Sequence, residues 1–123
     1  MPMNPILNYA IIIFVVMVIA VGQLIFKTVS LRLGDRGFEV LLTDHRTALL
    51  FVAALAAYGI STLGWVLALR NVPLNTAYLF MSASFIIVPV MAYFVLDEPI
   101  TARLALGSAL IVCGVLVAAT SNA

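Results

Sequence analysis

Apolar positions run along this chain in four long blocks, separated by short polar stretches. Residues 5–26, 47–69 and 72–96 contain no Asp, Glu, Lys or Arg, and residues 100–120 contain only Arg103. A helix needs about 20 apolar residues to cross the hydrocarbon core, and each block is long enough. Open strands would leave unpaired backbone groups in lipid, so each block is expected to be a helix. The pattern predicts an all-α polytopic membrane protein, a single domain of four transmembrane helices over residues 1–123. Arg103 sits near the start of the fourth block, where a long side chain reaches back to the headgroups.

The connections differ in kind. Residues 28–46 form a long, mixed connection whose alternating Leu, Arg, Phe and Val suit either a short interfacial helix or a hairpin. "RNVP" is a tight turn, with Pro73 expected in the first turn of the third helix, where a missing N–H costs nothing. "LDEPI" sets Pro99 at the start of the fourth helix, with Asp97 and Glu98 near the positive end of its dipole. Positive charge sets an orientation. Lys27, Arg32, Arg36, Arg46 and Arg103 flank the first and third connections, and Arg70 alone lies on the other side. The bias predicts those two connections in the cytoplasm and both termini outside.

Helical spacing sorts the polar residues within the spans. Asn75, Tyr78, Ser82, Pro89 and Tyr93 recur at steps of three, four, seven and four. Tyr58, Thr62 and Trp65 recur at steps of four and three on the second span. On the first, Gln23 and Lys27 share a face near one end, and Asn4 and Asn8 share one near the other. These stripes either line a common cavity, part aromatic and part polar, or serve interhelical packing, with hydroxyls bonded to backbone. The fourth span carries small residues instead. Gly107 and Gly114 are seven apart and Ala118 continues their face, a seam at which two helices approach closely, within one protomer or between two.

Composition narrows the classes. The chain is 65% hydrophobic and 9% charged, with a mean hydropathy of +1.24. Soluble domains carry about 25% charged residues, and a water-soluble fold of this length has too much surface to hide so much apolar side chain. No basic tract points to nucleic acid. Cys113, the one cysteine, reads as a small packing residue, and His45, the one histidine, as a solvated connection residue. The N-terminus lacks a basic leader, so the first block is expected to be retained. No nucleophile–histidine pair, metal-ligand pair or phosphate-cradling glycine loop occurs, so no enzyme, metal or cofactor is expected. No carboxylate interrupts any span, which argues against exchange of protons for a cationic drug.

In order along the chain stand "GQLIFK", "GWVLALRNVPLNTAYLFMS", "LDEPIT" and "GSALIVCGVLVAA". This series resembles the drug/metabolite transporter superfamily, and within it the small four-helix EamA-like proteins. That group includes the two subunits of the flippase for undecaprenyl-phosphate-linked aminoarabinose. The positions carrying the likeness are Gly22, Gln23, Leu24, Lys27, Trp65, Val72, Pro73, Ala77 and Tyr78. The related small multidrug transporters have a glutamate where this chain has Ile19, and an aromatic where it has Met81. The long first connection departs from both groups.

The resemblance implies a subunit of a transporter for an undecaprenyl-phosphate-linked sugar lipid in the bacterial inner membrane, connected with lipopolysaccharide modification. Lys27 and Arg70 would meet the phosphate at opposite faces. Gln23, Tyr58, Trp65, Asn75, Tyr78 and Ser82 would line the path. A small multidrug-type exporter of cationic solutes and a non-transporting membrane partner are the alternatives. Four thin helices enclose little volume, so a homodimer or a heterodimer with a similar small subunit is expected, through Gly107, Gly114 and Ala118.

Overall fold

The computed structural model describes residues 5–120, which are almost wholly helical, with no strand among them. The elements are α1 (Pro5–Leu33), a 3-10 turn (Gly34–Glu39), α2 (Val40–Thr43), α3 (His45–Leu69), α4 (Leu74–Met81), α5 (Ser84–Leu96) and α6 (Ala102–Ala119). Four continuous stretches are long and apolar enough to cross a membrane: Pro5–Thr43, His45–Leu69, Leu74–Leu96 and Ala102–Ala119. The protein is therefore an all-α, multi-pass membrane protein.

The first helix outruns the hydrophobic block that predicts it. Its 29 residues make a rod about 43 Å long at about 1.5 Å each. A bilayer core is about 30 Å thick, so the Lys27–Leu33 end projects beyond it. Helical backbone there needs no apolar side chains, because water and headgroups solvate that face. The rod stops at Gly34, whose φ of 50° is the left-handed conformation that ends many helices. A second glycine, Gly37 at φ 67°, turns the chain again before α2. The long connection is thus helical rather than a hairpin. It closes on Asp44, which caps α3 by accepting from the Arg46 amide at 3.1 Å and the Thr47 hydroxyl at 2.8 Å. The hydrogen bond from Thr47 holds the Asp44 carboxyl below its ordinary pKa, helped by the backbone and by the charge of Arg32.

The third span is two helices, not one. Around Ser82–Ala83 the ladder tightens to i→i+3 bonds, including Ala83 N–H to the Phe80 carbonyl at 3.1 Å and Phe85 N–H to that of Ser82 at 3.0 Å. The Ser82 hydroxyl donates back to the Leu79 carbonyl, a local bond that bends helices. Pro73 lies one residue before α4 rather than in its first turn. Its carbonyl accepts the Ala77 amide at 3.0 Å. Pro99 likewise stands before the helix start, and Thr101 caps α6 by accepting the Leu104 amide at 3.1 Å. Asp97 ends α5 at φ 54°, so the two acids belong to the end of the third span and not to the dipole of the fourth.

Packing is uneven. The α1 helix lies mainly along α3, and the buried cluster is Ile12, Val16, Ala68, Val72 and Ala77, with Trp65, Phe80 and Met81 against it. No described residue of α6 is buried. The surface area is 8487 Å², against about 6,400 Å² for a compact soluble monomer of this mass. Phe14, Ile60, Leu63, Phe94, Leu110 and Val117 are among the large apolar side chains left outside, as a lipid-facing surface requires.

Candidate functional site

Two polar residues meet where α1 and α3 cross. The Gln23 amide donates to the Tyr58 hydroxyl at 2.6 Å, and that hydroxyl donates in turn to the Ile19 carbonyl at 3.4 Å. The approach depends on Gly22, since a Cβ at that position would overlap the Tyr58 ring. Phe26 packs against the same ring, tilted, with centroids 5.2 Å apart. Tyr58 is thus held edge-on against α1 with its oxygen at mid-helix.

Above this pair opens a cavity of about 240 Å³, lined by Val15, Ile19, Tyr58, Ser61, Thr62, Trp65 and Met81. The stripe Tyr58, Thr62 and Trp65 forms one wall. Ser61 and Met81, which spacing alone does not single out, complete it. Thr62 spends its hydroxyl on the Tyr58 carbonyl at 2.8 Å. The lining is neutral throughout.

The third-span stripe does not join this cavity. Asn75 and Tyr78 line a separate groove of about 510 Å³ with Leu74, Leu79 and Ala118, between α4 and the end of α6. Tyr9 and Phe80 stack at 5.4 Å beside it. Pro89 lines a third, almost wholly apolar groove between α5 and α6, with Phe85 and Leu104. Both grooves lie between the third span and α6, on either side of Ser82 along that span. Asn8 is buried, and its Oδ1 has no hydrogen-bond partner among the described residues. Its companion Asn4 lies outside the described residues.

The cations sit at opposite ends. Arg70 is exposed at the turn after α3. Lys27 lies at the projecting end of α1, and its Nζ is 3.8 Å from Glu98 Oε1 across the bundle. Both side chains are about half exposed, the regime in which ion pairs contribute about 0–1 kcal/mol. Sequence reading misses this pair, although it does put both residues at the same end. Among the described residues no group of His, Cys, Asp and Glu could hold a metal ion.

Four membrane-length helices, a neutral cavity between α1, α3 and α4, and cations at both ends of the bundle describe a small multi-pass protein. Residues 2–120 match the model of the EamA-like transporter family, and the chain belongs to that family. It is 46% identical over 77 residues to a Pseudomonas aeruginosa protein described as "Probable 4-amino-4-deoxy-L-arabinose-phosphoundecaprenol flippase subunit ArnF", covering 60% of this chain and 56% of that one. A subunit ArnE of the same probable flippase, also from Pseudomonas aeruginosa, is 41% identical over 63 residues, covering 51% and 55%. A Pseudomonas fluorescens ArnF is 32% identical over 105 residues, 82% of this chain and 78% of that protein. The chain spans about half the length of most of the curated relatives it matches. No solved structure matches it.

Proposed function

We propose that the protein is one subunit of a flippase that carries a phosphate-linked polyprenyl glycolipid across the bacterial inner membrane. The observation that carries this reading is a neutral, aromatic-walled cavity against α1, the helix whose far end carries the chain's lysine, Lys27. A sugar needs stacking and hydroxyl partners, which Tyr58 and Trp65 in the wall supply, with Gln23 holding the Tyr58 hydroxyl. A phosphate needs a cation at headgroup depth, which Lys27 supplies as a point charge. The polyprenyl tail stays in lipid beside the helices. Arg70 at the far end offers a bidentate partner for the phosphate on arrival, and Asn75 and Tyr78 line the groove nearest it. Ser82 acts through the helix bend, its hydroxyl being engaged. The names of the ArnF and ArnE relatives support this substrate class.

By the charge bias, Lys27 and the first and third connections face the cytoplasm and both termini face outward. The cavity of about 240 Å³ is smaller than the 300–1,000 Å³ or so of ordinary ligand sites. One protomer therefore supplies part of a path that a similar small subunit completes. The α6 face carrying Gly107 and Gly114 is the pairing surface, while Ala118 lines the groove against α4. No catalytic group is assigned, and transport involves no bond chemistry.

The test is transbilayer movement of a fluorescent undecaprenyl-phosphate sugar in proteoliposomes containing the chain and its partner subunit. Lys27→Gln is expected to abolish most of the movement while insertion stays normal. Undiminished movement in that variant would remove Lys27 from the mechanism.

A further inference from the structure

The lysine proposed to receive the lipid phosphate already holds an anion, and that anion belongs to the chain itself. We infer that Glu98 is the resident occupant of the Lys27 site and sets which anions enter it, an inference that rests on the function proposed above. The backbone aims Glu98 there. Asp97 takes a left-handed φ of 54°, and the Glu98 amide reaches back to the Ala92 carbonyl at 3.2 Å. The Asp97 amide closes on the same carbonyl, so both amides end the helix on Ala92. This closure reverses the chain at the end of α5 and presents Glu98 to α1.

The contact is loose. At 3.8 Å it is longer than the 2.7–2.9 Å or so of a charge-assisted hydrogen bond. Neither side chain has another polar partner among the described residues. Glu98 therefore neutralises Lys27 without locking it. A tethered carboxylate competes at an effective concentration on the order of millimolar, so dissolved anions at ordinary levels do not displace it. A phosphate delivered in the membrane plane is different. It is concentrated at the depth of Lys27 and offers more charge and more acceptor oxygens than a carboxylate. Glu98 thus makes the site selective for membrane-borne phosphates over free phosphate.

The experiment is equilibrium binding to the full chain in lipid nanodiscs, with undecaprenyl phosphate, undecaprenol and inorganic phosphate as probes. Wild type is expected to bind undecaprenyl phosphate and not respond to millimolar inorganic phosphate. Glu98→Gln is expected to bind undecaprenyl phosphate several-fold to roughly tenfold more tightly and to acquire measurable inorganic phosphate binding, because the internal competitor is gone. Glu98→Asp, which keeps the charge, should stay near wild type, and Lys27→Gln should lose both phosphate probes. If wild type binds undecaprenyl phosphate but Glu98→Gln binds it no better and still ignores inorganic phosphate, the competitor role is overturned and the proposed function stands. If no variant distinguishes undecaprenyl phosphate from undecaprenol, both fall together.

Discussion

Gln23 and Tyr58 are bonded across the α1–α3 interface at 2.6 Å, in an interface whose buried cluster is apolar. Interhelical hydrogen bonds in membranes couple by about 0.6 kcal/mol on average and about 1.7 at most. A double-mutant cycle with Gln23→Leu and Tyr58→Phe, read by reversible unfolding in mixed micelles, should give a coupling in that range. The single Tyr58→Phe change should also slow transport, since it removes a hydroxyl from the cavity wall. Strictly additive stabilities would mean that the bond contributes nothing in the membrane.

Gly22 makes that contact possible. Gly22→Ala places a methyl into the Tyr58 ring, and overpacking of this kind costs about 1–3 kcal/mol. Thermal unfolding in detergent should drop for Gly22→Ala and recover largely in Gly22→Ala/Tyr58→Leu. Gly59→Ala, where a Cβ meets nothing within 4 Å, serves as the control and should leave stability at or above wild type. A Gly22→Ala protein as stable as wild type would show that the ring moves aside without cost.

The spans themselves were legible because hydrophobic length is the dominant constraint in a bilayer. The wall formed by Tyr58, Thr62 and Trp65 was legible because steps of four and three fix a face of a straight helix. On the third span the stripe is divided between two grooves, Asn75 and Tyr78 in one and Pro89 in the other. Nothing in "FMSASF" is a glycine or proline, yet the ladder tightens there, with the Ser82 hydroxyl bonded to the Leu79 carbonyl. Hydropathy also stopped α1 at Phe26, since the projecting turns need no apolar residues, and only Gly34 marked the true end. Glu98 read as a helix-start acid, and its distance from Lys27 is set by how α1 and α5 pack, which no local pattern encodes.

Asp44 ties the long connection to α3, and its pKa is lowered by the hydrogen bond from Thr47. A carboxylate whose folded pKa lies below its unfolded value of about 3.9 adds stability that is fully present above that value. The contribution disappears as pH falls through the lower folded pKa. Melting curves of wild type and Asp44→Ala in detergent should therefore be separated at neutral pH and converge below about pH 4. Thr47→Val should reduce the separation, because it removes the largest cause of the shift. Parallel curves from pH 7 to pH 2 or so would rule out this cap as a titrating element.

The fourth span supplies the last expectation. No described residue of α6 is buried, and a Cβ at Gly107 or Gly114 meets nothing within 4 Å. The glycines are thus not needed for packing inside the protomer. Small residues at such spacing allow close helix approach between chains in lipid. Gly107→Leu and Gly114→Leu should leave the unfolding of the isolated protomer within about 0.5 kcal/mol of wild type, as expected for surface changes. In proteoliposomes the same variants should lose energy transfer between donor-labelled and acceptor-labelled subunits, whether the pair is two copies or this chain with a similar subunit. They should also lose transport in proportion, because the path through one protomer is incomplete. Retained energy transfer with retained transport would move the pairing surface away from α6 and leave the glycines facing lipid.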